Sequence, residues 1–187
     1  NIYATNPYWA SNNFKNEDQR NRIIAAVSLR YNILDWLFVT GRTGIDDYTR
    51  KATSIEPYGT AYKPLGGMNE EERRYKQTDS DVMIGIDKKI SNKFAVNSFI
   101  GVNNNTRVRE LLKLNGGRFI VPDLETVKNT QDQSTEYDFN EQQMSSIYGS
   151  FGLSYNDIAY VTFTARNDWF SSLSAPEKES PNNDLYT

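Results

Sequence analysis

The stretch RIIAAVSLRYNI, residues Arg22–Ile33, decides the fold class. From Ile23 onward every second residue is apolar or aromatic, and the positions between them include Ser28, Arg30 and Asn32. Alternation with a period of two residues is typical of a β-strand that has one apolar and one polar face. The stretch therefore predicts a strand rather than a helix, in which apolar positions recur every three or four residues.

The same alternation returns along the chain and predicts three β-hairpins. The paired stretches are 22–33 with 36–45, 82–87 with 94–103, and 146–155 with 161–166. Short turns join the members of each pair, at 32–35, 90–93 and Asn156-Asp157, whereas the polar segments 46–79 and 104–143 between the hairpins predict long loops. Short turns that alternate with long loops are typical of outer-membrane β-barrels and uncommon in compact soluble domains.

We therefore predict an all-β fold: an antiparallel transmembrane barrel segment of about six strands, each roughly ten residues long, which suffices to cross a bilayer when tilted. Six strands cannot close a membrane barrel, for which about eight is the minimum. An open sheet edge in lipid would also leave backbone groups unpaired at a cost of several kcal/mol each. We expect residues 1–187 to be one part of a larger barrel domain.

The amino-acid composition argues against several classes of function. The 187 residues carry a formal net charge of −3, too balanced for a protein that binds nucleic acid by neutralising phosphates. No apolar run approaches the roughly 18 residues of a membrane helix. We expect no secretory leader within this sequence, and a processed protein or an internal fragment would begin in the same way. With no His and no Cys, the chain lacks imidazole bases, thiol nucleophiles and the usual zinc ligands. We predict a non-enzyme without a cofactor or metal.

Four stretches, in order along the chain, carry a resemblance to a known family. Thr164–Leu173, TARNDWFSSL, is similar to the family's TGRNDWSSTLP, with Ala165 in place of glycine. The others are Asn6–Trp9 followed by Asn21–Ile24, then Tyr31–Gly44, and Gly117–Asn129 with its Val-Pro-Asp-Leu. Together they resemble the SusC/RagA family of TonB-dependent outer-membrane transporters of Bacteroidota.

The resemblance implies a barrel of about 22 strands, of which this chain is a middle portion without the plug domain. It implies import of a glycan or oligopeptide across the bacterial outer membrane. The implied partners are a SusD-like lipoprotein that acts as a lid, the TonB-ExbB-ExbD complex acting through the absent plug, and membrane lipid.

Two sets of side chains are candidates for functional roles in such a barrel. Arginine and asparagine on the lumen face offer hydrogen-bond donors that suit sugar hydroxyls or peptide carbonyls, although a purely structural polar network is the alternative. The lumen-facing candidates are Arg42, Asn97, Asn103, Thr164 and Arg166. Aromatic rings near strand ends are expected at the membrane interface; the candidates are Tyr31, Trp36, Tyr155 and Trp169.

The sequence is also compatible with two other classes of protein. A secreted β-sandwich module that binds carbohydrate through loop aromatics would show the same alternation, but would bury its apolar faces against each other across about 10 Å. A glycosidase is a more distant alternative.

Two local predictions concern the polar segments: Glu70–Arg74 as a solvated loop tip, and Pro122–Lys128 as the start of a short helix with Asp123 as its N-cap.

Overall fold

The computed structural model describes residues 5–156 and 158–171 and the backbone of 183–186. Its strands form one antiparallel sheet in which every strand lies beside its neighbours in sequence. The strands are β1 (Lys15–Leu34), β2 (Leu37–Glu56), β3 (Gly67–Lys89), β4 (Phe94–Phe119), β5 (Thr130–Tyr155), β6 (Ala159–Phe170) and β7 (Asn183–Tyr186). Helix α1 (Pro7–Asn13) precedes them, and a 3₁₀ turn (Val127–Asn129) precedes β5. The predicted all-β antiparallel fold is confirmed.

Short connections close the three predicted hairpins. Asp35 and Trp36 alone separate β1 from β2. The backbone N–H of Ile90 donates to the carbonyl of Phe94 at 2.9 Å in the second turn. In the third turn Asn156 has a φ of 52°, a left-handed conformation that asparagine tolerates better than most residues. Asp157, predicted as the other residue of that turn, lies outside the described residues.

The strands are longer than the alternation predicts. Strands β1 to β5 contain 20, 20, 23, 26 and 26 residues, so most of the segments predicted as loops is strand. The prediction of a loop tip at Glu70–Arg74 is wrong, because this run lies within β3. Asp123 caps no helix: it has a φ of 62°, and the 3₁₀ turn begins after Thr126.

The chain divides into two compact units. Unit 1 contains the described residues within Asn1–Ile23, Asp47–Tyr75 and Val108–Asn140. Its small core consists of Ile55, Met68 and Phe119, with Val127 packed against them.

Unit 2 contains the described residues within Ile24–Asp46, Lys76–Arg107 and Glu141–Thr187. No apolar side chain described in this unit is fully buried, and many of the large ones are exposed. Leu29 is 72% and Phe163 67% exposed. The sheet of unit 2 thus presents its apolar residues outward instead of packing them into a core.

The described residues include no helix with the length and hydrophobicity needed to cross a membrane.

Candidate functional site

The sheet of unit 2 has two chemically different faces. Along β3, Val82, Ile84 and Ile86 are exposed, while Asp81 just before them and Gly85 between them are buried. Because successive strand residues point to opposite sides, these two sets lie on opposite faces. In the β5–β6 register, Phe151 lies opposite Phe163 and Leu153 opposite Val161, while Tyr148 lies opposite Arg166 and Ser150 opposite Thr164. We call the two sides the apolar face (Val27, Leu29, Val82, Ile84, Ile100, Val102, Phe151, Leu153, Val161 and Phe163) and the polar face (Arg42, Asp81, Asn103, Tyr148 and Arg166).

Asp81 is the centre of the polar face. Its carboxylate accepts a hydrogen bond from Nε of Arg42 at 2.8 Å and another from the hydroxyl of Tyr148. Asp81 is only 6% exposed, whereas the Arg42 side chain is about half exposed. A buried carboxylate is stable only when its oxygens are paired, and Arg42 and Tyr148 supply that pairing.

Arg166 is held in a defined position beside this centre. Its guanidinium donates from Nε to Asp168 at 2.7 Å and from a terminal nitrogen to Ser146 at 2.9 Å. Its Cζ lies 5.8 Å from the centre of the Tyr148 ring, within cation–π range. Asp168 and Ser146 are both buried. Arg166 is therefore oriented by its neighbours, and its exposed side remains available to solvent.

Asn103 belongs to a third group of contacts. Its amide donates to the Asp79 carboxylate at 3.2 Å and to the Ser80 carbonyl at 3.3 Å. Asn105 donates to the other oxygen of Asp79 at 2.9 Å. Two amides from β4 thus bind a carboxylate on β3, which positions Asn103 across the strand pair.

These groups line one open groove of about 670 Å³. Three of the five predicted lumen-facing residues, Arg42, Asn103 and Arg166, lie in it. Its other polar walls come from Asp79, Asp81 and Tyr148. The groove therefore presents donors, acceptors and charges of both signs to a ligand, within the size range of small-molecule sites.

The other two predicted residues lie elsewhere in unit 2. Asn97 lines a second groove of about 350 Å³, with Ser154 and Thr162. Thr164 is exposed and is the register partner of Ser150, and it lines neither groove. The structure therefore brings three of the five together and leaves Asn97 and Thr164 apart from them.

Asp81 and Tyr148 are site residues that were not predicted from the sequence. The signal was present, because both alternate with exposed apolar residues, Val82 and Ile147 respectively. What the alternation could not supply was the strand register that brings β2, β3 and β5 residues to one point.

Two glycines make room for rings on this face. A Cβ at Gly85 would lie 2.3 Å from the Phe38 ring, and one at Gly101 would lie 2.7 Å from the Tyr148 ring. Real carbon atoms do not approach so closely, so each ring depends on the neighbouring strand having no side chain there.

No protein-family model matches the chain, and no curated protein does. Among solved structures, the RagAB peptide transporter matches with a TM-score of 0.83 over 90% of this chain at 16% identity. The RagAB peptide importer in its closed-closed state gives 0.85 over 96% at 15% identity, and the open-open state gives 0.82. The chain is similar in fold to part of RagAB.

The similarity covers only part of the RagAB chains. The chain spans about a fifth of the length of the RagAB chains that it matches, 19% in one and 20% in the others. At this identity the comparison establishes the fold, and it confirms at that level the resemblance to the SusC/RagA family.

The aromatic residues predicted for a membrane interface occupy strand ends and a turn. Tyr155 packs on Phe94 with ring centres 5.0 Å apart, beside the second and third turns. Trp36, in the first turn, has Nζ of Lys88 4.5 Å from its ring centre. Tyr31 is exposed near the end of β1, and Trp169 lies near the opposite end of β6 from Ala159. Their placement in a RagAB-like sheet is the basis for a role proposed below.

Proposed function

We propose that this chain is part of the barrel of a SusC-like, TonB-dependent outer-membrane transporter that imports oligopeptides or glycans. The observation that carries the proposal is the exposed apolar face of unit 2, which lies opposite a polar face that holds paired charges. Outer-membrane barrels alternate apolar-out and polar-in along every strand. A soluble sheet would instead cover such a face with a second layer.

The height of the apolar face on β5 and β6 fits a bilayer. Tyr155 is the register partner of Ala159, which lies ten residues before Trp169 on β6. At about 3.3 Å per residue this separation is roughly 33 Å along the strand, or about 25 Å of membrane height at a tilt of about 40°. Barrels have an apolar band about 25 Å tall between aromatic girdles. We propose Tyr31, Trp36, Tyr155 and Trp169 as girdle residues that contact lipid headgroups.

The residues within that band agree with a lipid-facing surface. On the apolar face of β5 and β6 the side chains between the two rings are apolar or small, apart from Ser145 and Asn167. No charged residue falls among them, and an Arg or Lys at the bilayer midplane would cost about 2–4 kcal/mol.

The polar face supplies the transport path in this proposal. We propose that Arg42, Asn97, Asn103, Thr164 and Arg166 line the lumen and contact the passing substrate. The groove beside Asp81 offers paired donors and acceptors, which match peptide amides as well as sugar hydroxyls. The solved structures with this fold are named as peptide transporters or importers, which favours an oligopeptide over a glycan.

The proposed partners belong to the whole transporter and not to this chain alone. A SusD-like lipoprotein would act as a lid, and the TonB-ExbB-ExbD complex would supply energy through a plug domain. The location would be the bacterial outer membrane. This chain performs no chemical step in the proposal.

An uptake experiment tests the proposal. Cells that carry the intact gene and cells that lack it are compared for accumulation of fluorescent oligopeptides and oligosaccharides. We expect gene-dependent uptake that a protonophore abolishes, because TonB coupling requires the proton gradient. Gene-independent uptake, or an intact protein that is soluble and monomeric without detergent, would contradict it.

A further inference from the structure

A row of tyrosine rings and arginine side chains crosses β1 to β4 in unit 1. The rings of Tyr48 on β2 and Tyr75 on β3 are stacked, with centres 5.2 Å apart and planes 21° from parallel. The guanidinium carbon of Arg20 on β1 lies 5.0 Å from the Tyr48 ring centre. That of Arg109 on β4 lies 5.9 Å from the Tyr75 ring centre. We call these four residues the tyrosine–arginine row.

The row leaves little ring face for a ligand. Tyr48 contacts Tyr75 on the strand to one side. On the strand to the other side, the guanidinium carbons of Arg20 and Arg22 lie 5.0 and 5.9 Å from its ring centre. Tyr75 likewise lies between Tyr48 and Arg109. Sugar recognition by aromatic residues needs an open ring face, and these faces are already occupied. What the row still offers is the N–H edges of its guanidinium groups.

The two arginines of the row differ from other arginines of unit 1. Arg50 pairs with Asp18, Arg73 with Glu71, and Arg118 with Asp132. Within the described part of the chain, neither Arg20 nor Arg109 has a carboxylate within 4.0 Å, and both are exposed. Their positive charge is therefore held in place by aromatic rings and forms no ion pair within 4.0 Å. The charge of Arg20 helps to lower the pKa of Asp18, but that carboxylate is already paired with Arg50.

A groove of about 420 Å³ runs beside this row. Tyr48, Tyr75 and Arg109 line it, as do Glu110 and Asp138. Glu110 is already engaged, because it accepts from the Tyr137 hydroxyl at 3.0 Å and lies 3.8 Å from Arg74. Asp138 is exposed and forms no ion pair with Arg109, so it would compete with an incoming anion.

We propose that the tyrosine–arginine row is a binding site for a carboxylate group of the imported ligand. A guanidinium that is fixed on a ring binds carboxylate through parallel N–H donors at a small entropic cost. The carboxylate could belong to an acidic peptide or to a uronic acid of a glycan. The inference rests on the proposed function only in taking unit 1 to be accessible to that ligand.

The test measures binding to the full-length protein in detergent by titration calorimetry. One pair of probes is a blocked hexapeptide of alternating alanine and glutamate and its glutamine counterpart. The other pair is an oligogalacturonate and its methyl ester. The variants are Arg20→Gln with Arg109→Gln, and Asp138→Asn. Arg118→Gln is the control: it also replaces an exposed arginine of unit 1, but one that already pairs with Asp132.

We expect the double variant to lose about tenfold or more in affinity for the acidic probes and nothing for the neutral ones. Asp138→Asn should strengthen acidic binding, and Arg118→Gln should leave it within twofold. Whichever acidic probe binds identifies the source of the carboxylate. Equal binding of acidic and neutral probes, absence of acidic binding, or an unchanged double variant would overturn the inference. If uptake of neutral ligands still depends on the gene, the proposed function survives that failure.

Discussion

At the scale of the residue, the polar face of unit 2 depends on pairing around Asp81. One carboxylate on β3 accepts from Arg42 on β2 and from Tyr148 on β5, so three strands meet at one side chain. Such a contact fixes the strand register and orients Arg42 toward the groove. Loss of any one of these three side chains should therefore disturb the polar face.

Removing the Asp81 carboxylate should destabilise the protein. In Asp81→Ala the Arg42 guanidinium and Tyr148 hydroxyl lose the buried carboxylate that is their common acceptor, at a cost of about 1–3 kcal/mol. Asp79→Ala is the control, because Asp79 is exposed and binds only amide groups; we expect less than about 1 kcal/mol. Denaturant unfolding in detergent measures both, and equal losses would contradict the role assigned to Asp81.

Glycine at position 85 should be required by the Phe38 ring. A methyl group there would lie 2.3 Å from the ring, so Gly85→Ala should cost about 1–3 kcal/mol of unfolding free energy. Gly41→Ala places the same methyl group where nothing lies within 4 Å, and it should be nearly neutral. The cost of Gly85→Ala should fall in the Phe38→Leu background, which a double-mutant cycle measures. A cost that is independent of Phe38 would show that the clash is not the cause.

At the scale of the element, polar contacts hold together the parts of the strands that have no apolar face. In unit 1, Glu72 on β3 pairs with Lys51 on β2 at 3.2 Å and with Arg74 at 2.8 Å. Arg50 on β2 pairs with Asp18 on β1. Each exposed pair contributes little, typically 0–1 kcal/mol, so the backbone ladder must supply most of the stability there.

The connection between β2 and β3 should loosen in acid. Burial raises the pKa of the Glu56 carboxyl, but hydrogen bonds from Lys63 and Tyr62 and the charge of Lys63 outweigh this and lower it below the ordinary value of 4.5. A lowered pKa means that the stabilisation is complete above about 4.5 and is lost as the pH falls below it.

Hydrogen exchange at the Gly59 and Gly66 amides, which donate to Pro64 and Lys63 within this connection, is the measurement. We expect their protection to decrease below pH 4.5 in the wild type. Glu56→Gln should show weaker protection with no such decrease. A variant that keeps the wild-type acid transition would exclude Glu56 as its source.

The strands could be predicted from the sequence only where apolar and polar residues alternate. In β1 to β6 the parts next to the short turns alternate between apolar and polar residues. Their existence, pairing and faces were therefore predictable, including the shared face of Arg42 and Arg166. The run Glu70–Arg74 has no apolar period, and its strand state depends on partners such as Lys51 that only the register reveals. The meeting of Asp81 with Tyr148 was hidden for the same reason, since 67 positions separate them.

At the scale of the whole molecule, the sheet of unit 2 has an apolar face that nothing described in the chain covers. Val27, Ile84 and Phe151 are each at least 42% exposed. Either lipid or another protein layer must cover this face in the cell, because exposed apolar patches of this extent favour association in water. The proposed function takes this layer to be lipid, and the height of the band between Tyr155 and Trp169 supports that proposal.

The covering layer should determine how the intact protein behaves in solution. We expect the purified protein to remain folded and dispersed in detergent micelles and to aggregate on detergent removal, as light scattering would report. A carbohydrate-binding β-sandwich would stay soluble after detergent removal, with its apolar faces packed against each other.

The most direct test of the account places a nitroxide label on neighbouring residues of β6 in the full-length protein in liposomes. The variants are Phe163→Cys and Thr164→Cys, in a protein whose other cysteines, if any, are replaced. Molecular oxygen is more concentrated in lipid, whereas a nickel chelate stays in water. Both shorten the spin relaxation time of a nitroxide that they collide with, so comparing their effects shows whether lipid or water surrounds each label. We predict that the label at 163 relaxes mainly with oxygen and the label at 164 mainly with nickel. A label at 163 that is shielded from both agents, or the reverse pattern, would contradict the claim that the apolar face contacts lipid and the polar face lines an aqueous path.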